Sequence, residues 1–185
     1  MKKFRKVITI SILALLLVGH SVTQTKDDVA DLKDFQERIT KYLEVHKETG
    51  IANKPSDSAH KLADQKKQAA EKIRQTRPDA KQGDIFTPTI SAYFKKQIAS
   101  TLQGPDGAKV RASLRHAEPL PNVPLKVNQK YPPNLPLQST PPTLLLNLPR
   151  LPDELHYRIV GRTLVLYDVA SNLIVDFLPE AIPGS

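Results

Sequence analysis

Four histidines follow residue 24, His46, His60, His116 and His156, and two carboxylates, Asp168 and Asp176, stand inside the most apolar part of the chain. These are the side chains with acid, base or metal chemistry, so their spacing comes first. His60 and Asp64 fall one helical turn apart and have the reach to share a metal ion. No further histidine or carboxylate is placed to complete a ligand set, so the pair reads as solvated helix surface. His116, with Glu118, lies at an expected helix end before a proline, where a histidine commonly meets the last carbonyls. The chain has no HExxH zinc motif, no GxSxG elbow and no glycine-rich phosphate loop, since Gly104 to Gly107 reads as a turn. No metal and no cofactor is expected.

Asp168 and Asp176 are the strongest acid candidates. A carboxylate buried in apolar surroundings has a raised pKa and can act as a general acid, which would suit a hydrolase working on envelope polymers. Against that, Asp168 stands just before the Ala170-Ser171-Asn172 turn, where its oxygens can accept backbone N–H groups and fix the geometry. Arg158 and Arg162 are the expected ion-pair partners of the two aspartates. The catalytic set is left empty, and Tyr157, Arg158, Arg162, Tyr167, Asp168 and Asp176 stand as candidate binding residues.

Charge offers a second line of argument. The 185 residues carry 27 Lys and Arg against 19 Asp and Glu, a net charge of +8. Lys2, Lys3, Arg5 and Lys6 account for four of those charges and precede an apolar run from Val7 to Val18. Lys61 to Lys81 holds seven cations against Asp64, Glu71 and Asp79, with Lys66, Lys67 and Arg74 as candidates for a polyanion or membrane-surface site. Binding there would weaken steeply with salt. The aromatic interleaving of a single-strand binder is missing and the chain has no tryptophan, so nucleic acid is not an expected partner. Zero cysteine rules out disulfides, thiolate zinc sites and a Cys nucleophile.

The elements that must position these residues fall into four regimes. Residues 1–23 have the form of a bacterial signal peptide: a lysine-rich start, about a dozen apolar residues and small residues at Gly19 and Ser21, with cleavage expected after Ser21 or Thr23. That run is shorter than the roughly 20 residues a spanning helix needs, so a retained anchor, with membrane contact, is the lesser alternative. Residues 24–118 read as helices. Val29, Leu32, Phe35, Ile39, Tyr42 and Leu43 recur at steps of three and four and predict a first helix stopped near Gly50. Ser56 or Ser58 caps a second, to about Thr76, on a thin face of Ala59, Leu62, Ala63, Ala69, Ala70 and Ile73, and this hairpin is expected to be mobile at its tip. Thr87-Pro88 opens a third through Ile90, Phe94, Ile98 and Leu102, and a short fourth carries Val110 and Leu114. Residues 119–155 form a proline-rich strap, with ten prolines between Pro119 and Pro152, expected to be extended throughout. Its large aliphatics favour an ordered strap over a free tether.

Residues 156–185 predict a three-stranded antiparallel meander, at 157–160, 163–169 and 173–178, turning at Gly161-Arg162 and at Ala170 to Asn172. Leu164 and Leu166 point one way, Val165, Tyr167 and Val169 the other. A sheet with one solvated face alternates apolar with polar. This one does not, so both faces are expected to be covered, one by helices and the other by the strap or a second subunit.

The ending, carried by Tyr157, Arg158, Val160, Gly161, Arg162, Leu164 to Leu166, Asp168 and Asn172 to Asp176, resembles a group of uncharacterised exported bacterial proteins with a YRxVGRxLVLxD…NLIVD terminus. Its LVLxD strand, turn and IVD strand are more distantly similar to the terminal hairpin of periplasmic nickel and cobalt homeostasis proteins. The first resemblance implies a leader, a helical middle and an exported location, and no activity; without a His-rich segment, metal handling does not carry over from the second. The sequence therefore predicts an α+β protein, periplasmic or secreted, that binds without catalysing, with a protein partner or its own copy meeting the C-terminal sheet.

Overall fold

The computed structural model describes residues 25–50, 58–115, 124–133 and 140–184. The expected leader, the hairpin tip with Ser56, and His116 with Glu118 lie outside them. Within them the chain is α+β, as its periodicities predict: α1 (Lys26–Glu48), α2 (Ala59–Thr76), α3 (Pro88–Gln103), α4 (Gly107–Arg115), α5 (Pro142–Leu146), then β1 (Leu155–Val160), β2 (Thr163–Asp168) and β3 (Leu173–Leu178). No described helix is long and apolar enough to cross a membrane.

α1 begins with a reciprocal cap, in which the Thr25 hydroxyl accepts the Asp28 N–H and the Asp28 carboxylate accepts the Thr25 N–H. Such a cap is worth about 1 kcal/mol. The buried face of the helix is Phe35, Ile39, Tyr42 and His46. Val29, expected on this face, is 55% exposed. Asp28 turns inward in its place, because Lys96 Nζ lies 2.9 and 2.7 Å from its two oxygens, and this ammonium and the Thr25 N–H hold the carboxyl below its ordinary pKa. α2 starts at Ser58 and buries only Ala69, Ala70 and Ile73, while Ala59, Leu62 and Ala63 stay exposed. Two alanines and one isoleucine, all in its second half, remove too little area to hold its first half down.

α3 is the centre of the helical layer, opened by the Thr87 cap and Pro88 as expected. Phe94 meets Phe35, Phe86, Tyr93 and Tyr157 at ring-centroid distances of 4.9, 5.1, 5.9 and 6.0 Å, with edge-on geometry throughout. That arrangement satisfies the ring quadrupoles and links three parts of the chain. α4 turns back so tightly that a Cβ on Gly107 would sit 1.9 Å from the Leu102 carbonyl oxygen, which is why glycine stands there.

The sheet runs β1-β2-β3, antiparallel throughout. Gly161, at φ +58°, takes the left-handed position of the first turn at no steric cost. Leu155, Tyr157, Ile159, Leu164, Leu166, Leu173, Val175 and Leu178 join the helices in the main core. β3 carries a bulge: Leu166 pairs with Asp176 but Tyr167 pairs with Ile174, leaving Val175 unopposed. Simple alternation would put Val175 and Asp176 on opposite faces. The extra residue resets the alternation and brings both to the helix side.

The second face holds Val165, Tyr167 and Ile174, closed over by Tyr131 and Leu125 of the strap, with the Tyr131 and Tyr167 rings 5.5 Å apart. The strap also lies along the outer edge of β3: Asn128 N–H donates to Ile174 O at 2.9 Å, Gln129 O accepts from Ile174 N–H at 2.9 Å, and Tyr131 N–H donates to Asn172 O at 3.0 Å. Elsewhere the expectation of an extended strap fails. Residues 142–146 form α5, with Pro141 at its N-cap and Pro142 at its first position, where a missing N–H costs nothing. Leu144, fully buried, anchors that turn.

Candidate functional site

Asp168 ends β2 on the helix-facing side and is fully buried. Its Oδ2 accepts the Tyr42 hydroxyl at 2.6 Å and lies 2.8 Å from His46 Nδ1, and its Oδ1 accepts the Ser171 N–H at 2.9 Å. Burial pushes this carboxyl up, but the His46, Tyr42 and Ser171 donors outweigh it and hold the pKa below the ordinary value. The hydrogen bond to Asp168 raises His46 against the opposing pull of burial. Burial, then the Asp168 charge, drives the Tyr42 phenol well above its usual range. Arg77 lies over the Tyr42 ring at 5.0 Å. The arrangement is a dry, charged strut between α1 and the end of the sheet, with the turn-fixing bond that the sequence predicts.

Asp176, also fully buried, takes backbone donors only: Gly83 and Phe177 N–H on Oδ1 at 3.0 and 2.8 Å, and Ile85 and Phe86 N–H on Oδ2, both at 2.8 Å. Burial raises its pKa against the pull of those four bonds. The carboxylate thereby shapes the turn that leads into α3. Neither aspartate has solvent access or a free direction for a substrate, and neither pairs with the expected arginines. Arg162 instead pairs with Glu180 and donates through Nε to Ile182 O at 2.9 Å. Arg158 lies over the Tyr167 ring at 5.7 Å, on the sheet face opposite the aspartates. The reason is parity: residue 158 belongs to the alternate set from Tyr157 and Ile159, which face the helices with both carboxylates.

The remaining candidates divide. Tyr157 has its ring in the core and donates its hydroxyl to Pro149 O at 3.0 Å, and Tyr167 donates to Asn172 Oδ1 at 2.8 Å. On α2, Arg74 is a tie to the strap, its Nε donating to Asn128 O at 2.9 Å, whereas Lys67 is exposed and Lys66 half-buried. His60 and Asp64 form an exposed pair at 3.1 Å. No group of three or more metal-ligating side chains is present among the described residues.

Tyr157 and Arg158 come together elsewhere, in an open groove of about 410 Å³ between β1, the edge strand opposite β3, and the last part of the strap. Leu145, Pro149, Leu151 and Leu155 give it apolar walls, and Arg150, His156 and Arg158 give it cationic and imidazole groups. Thr140 completes the lining and donates its hydroxyl to Tyr157 O at 3.1 Å. Arg158 holds His156 Nδ1 at 3.1 Å and reaches Tyr157 O at 3.4 Å, and its buried Nε has no partner. Burial, followed by the Arg158 charge, lowers the His156 pKa, so this imidazole is neutral and accepts.

Sequence reasoning missed Arg150 in the groove and Tyr42 with His46 as the partners of Asp168. His46 did carry a signal. It continues the spacing of Phe35, Ile39 and Tyr42, so it had to face inward and find a polar partner. Arg150 carried none, being a lone cation between prolines.

Compared with known proteins, the chain matches no family model, no curated protein and no solved structure.

Proposed function

We propose that this is an exported, noncatalytic binding protein of the bacterial envelope whose binding surface is the groove beside β1. The observation that carries the reading is how the sheet is covered. Helices fill one face, residues 125–131 of the strap fill the other and pair with the β3 edge, and among the described residues what stays open is the groove between β1 and the end of the strap. The most promising acids, Asp168 and Asp176, are consumed by their own chain. The basic, apolar leader of residues 1–23 and the likeness of the ending to exported proteins support the location.

A second copy of the chain is a poor occupant. Glu154 O accepts the Val169 N–H from the β2 side and Tyr157 O faces outward to Thr140, so Tyr157 and Ile159 lie on the outer edge and Thr140 already takes one of its carbonyls. Antiparallel pairing of β1 with its own copy centred on residue 158 sets Arg158 opposite Arg158, and like charges directly opposite are destabilising. The test is a photo-crosslinking residue placed at Pro149 or Leu151, and for comparison at Lys66, Lys67 or the control Glu180, in intact cells. Recovery through a C-terminal tag and mass spectrometry then reads protein and small-molecule adducts alike. Adducts from the two groove positions and not from the control are expected; adducts confined to the control, or to Lys66 and Lys67, would overturn the reading.

A further inference from the structure

We propose that the groove beside β1 binds an anionic amphiphile, a carboxylate or phosphate head on a short apolar tail. This rests on the reading of the groove as the binding surface and goes further by naming the ligand chemistry. The volume of about 410 Å³ falls within the range of small-molecule sites. Charge then decides the head. Among the described residues no carboxylate pairs with Arg150 or Arg158, whereas Arg162 pairs with Glu180 and Arg74 with Glu71. Asp153 acts on His156 through space but bonds neither guanidinium. Arg158 spends its donors on a neutral imidazole and a carbonyl at 3.4 Å, and its Nε is buried and orphaned. A guanidinium that pairs with no carboxylate is incompletely satisfied, and an oxyanion in the groove is the acceptor that suits the outer N–H groups of its planar fork. Stacking on Tyr167 fixes the plane in advance.

The apolar walls decide the tail. Leu145 lines the groove yet is 42% exposed, and its neighbour Leu146 is 83% exposed, both on a turn held rigid by Pro141, Pro142 and the buried Leu144. An alkyl chain lying on Leu145, Pro149 and Leu151 would cover surface that the chain itself leaves open. An added peptide strand fits less well, because Thr140 already occupies the outward carbonyl of Tyr157 and interrupts the row of free edge groups.

The experiment is titration of the leaderless protein by calorimetry with dodecanoate, dodecyl phosphate, acetate and dodecyltrimethylammonium, all kept monomeric. Saturable binding at one site is expected for the first two, with at least about tenfold weaker binding of acetate and of the cationic amphiphile. Arg158→Gln and the exposed Arg150→Gln should each weaken dodecanoate about tenfold, so the test survives if the Arg158 variant folds poorly. Sedimentation with phosphatidylglycerol vesicles tells the source: retention on vesicles that competes with monomeric dodecanoate places the amphiphile in a bilayer, and absence of retention leaves it free in solution, both with the head chemistry intact. Equal affinity for the cationic amphiphile, or unchanged affinity in Arg150→Gln and Arg158→Gln, overturns the anionic assignment and leaves the groove a binding surface. Failure of every probe, together with crosslinks that avoid the groove, overturns both.

Discussion

Asp168→Asn tests the buried strut without emptying it. Asp168→Ala would strand a buried His46, the Tyr42 hydroxyl and the Ser171 N–H together. Breaking a buried charged pair costs about 3–5 kcal/mol, a large part of the about 5–15 kcal/mol that a domain of this kind has to lose. The amide is gentler. Its oxygen can keep the Ser171 N–H while its NH2 faces Tyr42 and His46, both of which can accept if His46 gives up its Nδ1 proton. The loss therefore depends on pH. The folded-state pKa of His46 is raised, so the contribution of the pair is full below the ordinary value near 6.5 and fades as pH climbs through the folded value. Asp168 is lowered, so the contribution is full above its ordinary value of 3.8 and fades as pH falls through the folded one. The window between those two ordinary values is where Asn should hurt most. Each unit by which Asp168 raises His46 is worth about 1.4 kcal/mol, so the penalty should be larger at about pH 5.5 than at about pH 8.5. Urea unfolding followed by far-ultraviolet circular dichroism measures it, and a cycle with His46→Gln should return a coupling of about 1–3 kcal/mol. Equal penalties at the two pH values with a coupling below about 0.5 kcal/mol would refute the argument.

Other expectations follow from the same contacts. Asp176→Ala leaves the Gly83, Ile85 and Phe86 N–H groups unsatisfied, so stability should fall by about 3 kcal/mol or more and these amides should exchange with deuterium faster than the α3 interior; unchanged exchange would count against the assignment. Phe94→Ala removes the hub of the aromatic cluster and should cost about 3–5 kcal/mol in urea unfolding. Tyr131→Ala uncovers the second face of the sheet. It should increase binding of an apolar dye while the near-ultraviolet signal of the helix-side aromatics persists; loss of both would mean that the strap is needed for the whole fold.

Local rules carried most of the architecture. Thr87-Pro88, the three-and-four spacing of Phe35, Ile39 and Tyr42, and the two turns of the meander each state their element in a few neighbouring residues. Three features lay beyond local reading. α5 hid because two prolines in succession read as a barrier to helix, whereas at the first positions they merely open one. The bulge at Val175 is invisible to a period-two reading, and with it the turning of Asp176 toward the helices. The partners of Asp168 stand 122 and 126 residues earlier in the chain, and no spacing rule spans that distance. The groove is a meeting of α5, the residues that follow it and β1, so its residues, scattered between Thr140 and Arg158, form a set only after folding.

The length of those connections also sets a clock. α1 waits for Asp168 to supply the acceptor for His46 and Tyr42, and the turn before α3 waits for Asp176, about 90 residues further on. At ribosomal speeds of about 5–20 residues per second, α1 spends roughly 6–24 s without its anchor. In that interval the early helices have one another, through Phe35, Phe86 and Phe94 and through Asp28 with Lys96, but not the carboxylates that tie them to the sheet. The last strands to be made therefore carry the buried acceptors that the first helix and the turn before α3 both require.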